Sequence, residues 1–148
     1  MTLPWHNPVL LAEQQATLAL VSEGRLDFGV CKGYRYNEFH GFGVDMVDSE
    51  EIFTEALALI LKSWHIEERW SHMGKHWQLN EIVVEPPTVQ ESHPPIWLAS
   101  GRPSSIRASA RRGAQLLLDQ YSPLHAVFER SEIFRDELQQ IGVDPQDR

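Results

Sequence analysis

The stretch Arg25–Asp48, RLDFGVCKGYRYNEFHGFGVDMVD, combines a strand pattern with an unusually aromatic connection. Its first part, Arg25–Val30, alternates apolar residues with polar or small ones, which predicts a strand. Cys31–Gly33 ends that strand, and a glycine-punctuated loop is expected to run on to Asp48. Because α/β sheets and barrels place their ligands at the carboxyl ends of strands, this loop is the first candidate for a functional site.

Helical spacing of apolar residues alternates with short apolar runs along the rest of the chain. This alternation implies βαβ units, and therefore an α/β fold with a parallel sheet. The predicted helices are Pro8–Val21, a helix with an Asp48/Glu51 capping box that reaches Trp64, Ser105–Arg112, and a last helix from Ser122-Pro123 to about Gln140. The other predicted strands are Ile96–Ala99 and Ala114–Asp119, and a hairpin excursion is expected around Gly74.

Composition narrows the class of protein. The 148 residues suffice for one domain with a real core. A formal net charge of −8 argues against nucleic acid or an anionic membrane as a partner. A single cysteine fits a reducing compartment, no apolar run is long enough to span a membrane, and the N-terminus lacks the cationic region of a signal peptide. These features predict a cytoplasmic location.

A second candidate site follows the predicted strand Ile96–Ala99. Small hydroxyl residues and a guanidinium meet a helix N-terminus, where free N–H groups and the helix dipole favour a phosphate. Plain helix capping by Ser104 is the alternative interpretation. Both turns follow parallel strands, so they are expected to face the same ligand. The residues of this turn are Ser100, Gly101, Arg102, Ser104 and Ser105.

The histidines do not indicate a metal site. Gly74 separates His72 from His76, and no nearby cysteine or carboxylate pattern completes a ligand set with them or with His65. We therefore predict no metal. His6 and His93 lie beside or near prolines and are expected to be structural.

Three phrases of sequence occur in a recognisable order. The first, within His6–Leu26, consists of HNPVLLAE, ATL and SEGRL. The second, within Gly29–Gly43, consists of GVCKGY, EF and FG. The third, within Pro94–Ser105, consists of PPIWLA and a serine pair. Together they resemble the flavin-dependent luciferase-like monooxygenases, the family that includes bacterial luciferase. Cys31–Gly33 is similar to the luciferase branch, whereas many relatives carry glycine at position 31. Ala19 stands where relatives usually have aspartate.

The resemblance implies part of a TIM (β/α)8 barrel. Residues 1–148 are expected to form a single domain that lacks the first and last barrel strands, so the expected catalytic histidine lies outside this chain. The implied activity is monooxygenation of a small organic substrate by reduced FMN and oxygen. A flavin reductase is an implied partner, and a homodimer is the expected assembly. The alternatives are a deazaflavin-dependent oxidoreductase and a non-catalytic flavin-binding or interaction protein derived from the same barrel.

The resemblance also implies roles for individual residues. Lys32 would clamp the flavin phosphate instead of being an ordinary solvated lysine, and the Ser100–Ser105 turn, with Arg102, would contact the same phosphate. Cys31 and Glu38 would lie nearer the ring, although Cys31 is equally interpreted as a small buried residue at a strand end. The loop aromatics either wall a flavin pocket or pack the loop onto the fold; they are Tyr34, Tyr36, Phe39 and Phe42.

Overall fold

The computed structural model describes residues 1–147, in two compact units, of which the first is Met1–Pro94 and the second begins at Pro95. The first unit contains α1 (Pro8–Val21), β1 (Phe28–Val30), α2 (Tyr36–Phe42), α3 (Ser49–His65), β2 (Trp70–Met73) and β3 (Gln78–Ile82). The second contains β4 (Ile96–Ala99), α4 (Pro103–Arg111), β5 (Gln115–Leu117) and α5 (Leu124–Gln140). Across residues 1–147, no helix has both the length and the apolar character needed to cross a membrane.

The core of the first unit lies between α1 and α3. α1 has the predicted bounds and buries mainly small residues, which lets α3 approach closely. The Trp64 indole N–H of α3 donates to the Ala12 carbonyl of α1 at 3.1 Å and links the two helices. The buried residues include Leu11, Ala12, Ala16 and Ala19 on α1 and Phe53, Ala56, Leu57, Leu59, Ile60 and Trp64 on α3.

The first strand is shorter than predicted. β1 begins at Phe28, because the preceding backbone makes other hydrogen bonds. The Arg25 N–H returns to the Ser22 carbonyl at 3.3 Å, and the Leu26 carbonyl accepts from the Gln90 side-chain amide at 2.7 Å. The predicted alternation is correct within β1, where Phe28 and Val30 are buried.

The predicted loop from Cys31 to Asp48 is wrong in its middle, because α2 occupies Tyr36–Phe42. Two aromatics three residues apart share one face of this helix and pack on Trp5. The Phe39 ring meets Trp5 edge-on at 5.5 Å between centroids, and the Phe42 ring stacks on it at 5.0 Å. Tertiary packing of this aromatic face favours a helix over an open loop.

The predicted capping box at the start of α3 is also wrong. Asp48 is the N-cap residue, but its side chain makes no capping hydrogen bond. A 3-10 turn over Met46–Asp48 leads directly into α3 and leaves Asp48 in the helical region of φ/ψ, whereas a capping side chain needs extended backbone. Glu51 pairs with Lys75 of the hairpin instead.

The predicted hairpin excursion is confirmed. β2 and β3 pair antiparallel, with Trp70 opposite Ile82 and Met73 opposite Gln78, and Gly74 begins the connection between them. An irregularity in register lies between Trp70 and His72.

In the second unit, β4 and β5 pair in parallel, with Trp97 opposite Gln115. α4 begins at Pro103, two residues before its predicted start, because a proline fixes φ for the first helical position. Gly113, at φ +68°, ends α4 and turns the chain into β5. α4 and α5 pack through a cluster of Ile106, Ala110, Phe134 and Leu138.

A buried carboxylate joins the same two helices. Glu137 of α5 has a side chain that is only 2% exposed, and it accepts hydrogen bonds from Arg107 Nη1 (3.0 Å) and Arg111 Nε (2.6 Å) of α4. The bond from Arg107, followed in size of effect by the bond from Arg111, lowers the pKa of Glu137, although burial acts to raise it. The arginines lie one helical turn apart, so both can reach one carboxylate.

We expect Glu137→Gln to lower the melting temperature at pH 7, because it removes the charge that both guanidinium groups face. The folded-state pKa of Glu137 lies below its unfolded value, so its stabilisation is present above the ordinary glutamate pKa of about 4.3 and is lost as pH falls through the folded-state pKa. Thermal unfolding of the full chain between pH 7 and pH 3 should therefore show a gap between the proteins that narrows with acid.

Glu132→Gln is the matched control, because Glu132 forms an exposed pair with Arg135 on the same helix. It should change the melting temperature little. A Glu137→Gln protein as stable as the wild type at pH 7 would contradict the structural role of this carboxylate.

Candidate functional site

Cys31 lies at the end of β1, where residues 1–3 pair beside it. Its N–H donates to the Met1 carbonyl at 2.8 Å, and its carbonyl accepts from the Leu3 N–H at 3.0 Å. The thiol is half-buried, with Sγ 3.4 Å from the Thr2 hydroxyl oxygen. The backbone is thus well anchored, and a role of the thiol beside a flavin ring stays a prediction.

Lys32 is a partly exposed lysine with an acidic partner. Its ammonium forms an ion pair with the Glu50 carboxylate in the first turn of α3. The two side chains are 41% and 65% exposed, so the pair lies at the surface. Sequence reasoning missed Glu50, because 18 positions separate it from Lys32 and no local spacing joins them. Phosphate binding by Lys32 stays a prediction.

Gly33 makes the turn after Lys32 geometrically specific. Its φ is +84°, and a Cβ at this position would lie 2.8 Å from both a ring carbon of Phe39 and the methyl carbon of Thr2. Only glycine meets both requirements without displacing its neighbours. The close approach ties the end of β1 to α2.

Glu38 lies in the first turn of α2, with its carboxylate 3.8 Å from the Arg35 guanidinium. A surface depression of about 380 Å³ is lined by Arg35, Tyr36, Asn37 and Glu38. The loop aromatics differ in burial. Phe39 is buried and packs the fold, whereas Tyr34 and Tyr36 are largely exposed.

In the second unit, serine hydroxyl groups of the turn after β4 and of α4 form hydrogen bonds with each other and with nearby backbone carbonyls. Ser109 Oγ donates to the Ser105 carbonyl at 2.9 Å, so Ser100 Oγ is the donor in its 2.9 Å bond to Ser109 Oγ. Ser105 Oγ donates to the Arg102 carbonyl at 2.9 Å. The Ser100 bond links the residue after β4 to the second half of α4, and the Ser105 bond lies within the first turn of that helix.

The remaining groups of the turn are open. Arg102 is the N-cap of α4, and no side chain caps the helix, so the N–H groups of its first turn have no side-chain partner. Ser104 is exposed, and its hydroxyl has no hydrogen-bond partner among residues 1–147. The alternative in which Ser104 caps the helix is wrong, because Ser104 lies inside α4. A cation, a hydroxyl and free N–H groups at a helix N-terminus can together bind an anion.

The hairpin histidines contact carboxylates of α3. His72 Nε2 lies 3.0 Å from Glu55 Oε1, and Glu55 also accepts from the N–H groups of His76 (3.1 Å) and Trp77 (3.2 Å). Partial burial acts to raise the pKa of Glu55, but the bonds from His72 and the two N–H groups lower it overall. Gly74 packs so close to Glu55 that a Cβ would collide with its carboxylate. Glu55 therefore docks the hairpin on α3.

Two further observations concern metal binding and the position of a cavity. Within residues 1–147, no group of three histidine, cysteine, aspartate or glutamate side chains is arranged to hold a metal ion. A cavity of about 420 Å³ in the first unit lies beside the end of α3 and is lined by residues such as Trp64, Pro86 and Gln90. None of the predicted site residues lines it.

Comparison with known proteins gives a consistent result. The family described as luciferase-like monooxygenase matches residues 1–147. The oxygenase component of flavin-dependent trigonelline monooxygenase from Acinetobacter baylyi is 30% identical over 131 residues, which are 87% of this chain and 35% of that protein. The crystal structure of monooxygenase RslO1 from Streptomyces bottropensis is 28% identical, with a TM-score of 0.86 over 97% of this chain and 44% of that chain.

Two more distant structures share the fold. The oxygenating constituent of 3,6-diketocamphane monooxygenase from Pseudomonas putida, in complex with FMN, has a TM-score of 0.82 at 21% identity and covers 97% of this chain and 43% of that one. An F420-dependent secondary alcohol dehydrogenase, in complex with an F420-acetone adduct, has a TM-score of 0.79 at 19% identity, over 95% of this chain and 43% of that one.

These likenesses confirm the predicted fold class, which is α/β and corresponds to part of a (β/α)8 barrel, with helices alternating with parallel strands and a hairpin excursion. The chain spans 33–40% of the length of these and other curated relatives that it matches. The roles of the predicted site residues are not tested by these comparisons and stay predictions.

We expect Gly33→Ala to destabilise the fold by roughly 2–4 kcal/mol, since a side chain there suffers both left-handed backbone strain and overpacking. Gly43→Ala is the matched control, because Gly43 also has a positive φ (+69°) but open space around it. It should cost only about 1 kcal/mol. Urea unfolding measures both; equal losses would contradict the close contact of Gly33 with Phe39 and Thr2.

Proposed function

Because the chain belongs to the luciferase-like monooxygenase family, we propose that it serves flavin-dependent monooxygenation, in which reduced FMN and oxygen oxidise a small organic substrate. Two similarities support this proposal: a matched relative is a flavin-dependent monooxygenase, and a structural neighbour was solved in complex with FMN. A bound reduced flavin would supply the electrons that activate oxygen, and the protein would supply binding, orientation and shielding from water.

The observation that carries the proposal is the open N-terminus of α4. Its first-turn N–H groups are uncapped by side chains, and the exposed Arg102 and Ser104 lie at the same helix end. This donor set is chemically suited to a flavin phosphate, because charge-assisted bonds from a guanidinium add to those from N–H groups. Ser100, Gly101 and Ser105 would shape the turn, since both hydroxyl groups are already used as donors within it.

In the first unit, Lys32 would offer a cation to a flavin phosphate, and Cys31 and Glu38 would lie nearer the flavin ring. The ammonium of Lys32 is accessible and keeps donor capacity beyond its bond to Glu50. The roles proposed for Cys31 and Glu38 beside the flavin ring rest on the family resemblance alone.

A deazaflavin-dependent oxidoreductase is the second candidate, favoured by the F420-dependent structural neighbour. A non-catalytic flavin-binding or interaction protein is the third, because the chain spans a minor part of its relatives' length. The description "oxygenase component" of one relative favours a separate reductase as the source of reduced flavin. A homodimer is also proposed, and exposed Leu10, Leu18 and Val21 on α1 favour association.

Titration of the full chain with FMN, followed by quenching of flavin fluorescence, tests cofactor binding. We expect Arg102→Ala to weaken FMN binding about three- to ten-fold, because it removes a charge-assisted contact worth roughly 1 kcal/mol. Riboflavin, which lacks the phosphate, should bind the wild type and the variant equally.

Arg112→Ala is the matched control, because Arg112 is exposed at the opposite end of α4. It should leave FMN affinity unchanged. No quenching at high micromolar protein would contradict flavin binding by this chain, and equal FMN affinity of the wild type and Arg102→Ala would contradict the phosphate site at α4.

A further inference from the structure

The ion pair between Lys32 and Glu50 has a consequence for any anion that Lys32 binds. The Glu50 carboxylate occupies one side of the Lys32 ammonium and partly neutralises its charge. A flavin phosphate approaching Lys32 would meet the ammonium and the carboxylate together. The attraction of the first is therefore reduced by the repulsion of the second.

The strength of this pair allows a phosphate to compete with it. Both side chains are substantially exposed, at 41% and 65%, and exposed ion pairs contribute little. A phosphate monoester carries a charge of about −1.5 to −2 near neutral pH, which exceeds the single charge of a carboxylate. The pair therefore weakens phosphate binding without preventing it.

Glu50 is specific for Lys32 among the acidic residues at the start of α3. Glu51 pairs with Lys75 and lies 3.4 Å from His76. Glu55 accepts from His72 and from N–H groups of the hairpin. Glu51 and Glu55 thus contact the hairpin, where both reach His76, whereas Glu50 pairs with Lys32.

We propose that Glu50 is a competing counter-ion that sets how strongly this protein prefers phosphorylated over unphosphorylated flavin. This inference rests on the proposed function, in which Lys32 contacts the flavin phosphate. Glu50 holds the Lys32 side chain near the end of β1 when no flavin is bound, and it limits the grip on the phosphate when one is. A weak, reversible grip suits a flavin that enters and leaves as a co-substrate.

The test compares FMN with riboflavin on the full chain, by fluorescence titration of the wild type, Glu50→Gln and Glu51→Gln. Both substitutions remove one negative charge from the first turn of α3, but only Glu50 contacts Lys32. We expect Glu50→Gln to bind FMN about two- to five-fold more tightly, the range of an exposed ion pair, with riboflavin unchanged. Glu51→Gln should leave the FMN-to-riboflavin ratio at the wild-type value.

The single variant Lys32→Met and the double variant Lys32→Met/Glu50→Gln provide the second arm. If Glu50 acts through Lys32, the gain from Glu50→Gln should disappear when Lys32 is replaced. Thermal unfolding of each variant verifies that it is folded.

The outcomes separate this inference from the proposed function. If the wild type and Glu50→Gln bind FMN equally, and Lys32→Met weakens both, the phosphate contact stands and the role of Glu50 is refuted. If Glu50→Gln and Glu51→Gln give the same gain, the effect is general electrostatics and the inference is again refuted. If neither the wild type nor Glu50→Gln binds FMN, the proposed function fails together with the inference. Binding that appears or tightens only in Glu50→Gln supports it.

Discussion

The close approach of Gly33 to Phe39 is the constraint on which the first unit's candidate site depends. It places a left-handed turn directly after Lys32 and brings α2 against the end of β1. Because Phe39 and Phe42 also pack on Trp5, the turn, the short helix and the N-terminal residues stabilise one another. Aromatic packing, together with the hydrogen bonds of Cys31 to Met1 and Leu3, therefore positions the backbone beside Lys32.

The start of α3 distributes charge around this turn. Three glutamates within two helical turns take different partners: Glu50 pairs with Lys32, Glu51 with Lys75, and Glu55 with His72 and two N–H groups of the hairpin. Helix α3 thus carries Glu50, the counter-ion of the candidate phosphate-binding residue Lys32, as well as Glu51 and Glu55, which contact the β2–β3 hairpin. The helix dipole favours negative charge at this end, which explains why acidic residues can crowd there.

In the second unit, the turn between β4 and α4 separates structural from available groups. The Ser100 hydroxyl donates to Ser109, and the Ser105 hydroxyl donates to the Arg102 carbonyl. The Ser104 hydroxyl and the N–H groups of the first turn make no such side-chain hydrogen bonds within residues 1–147. The buried Glu137 anchors α4 to α5 through two arginines. A rigid helix with an open N-terminus is a sound platform for an anion, because binding there orders few additional groups.

The sequence by itself determined the alternation of helices and strands, the hairpin at Gly74 and the family, because periodicity, turn residues and ordered phrases are local properties. It failed where distant residues decide local structure: α2 forms because Trp5 receives its aromatic face, and β1 is shortened because Gln90 takes the Leu26 carbonyl. Only the tertiary structure paired Lys32 with Glu50 and Glu137 with Arg107 and Arg111. Ion pairs of this kind depend on how two elements pack and at what angle, and that information is not contained in the spacing of residues along either element.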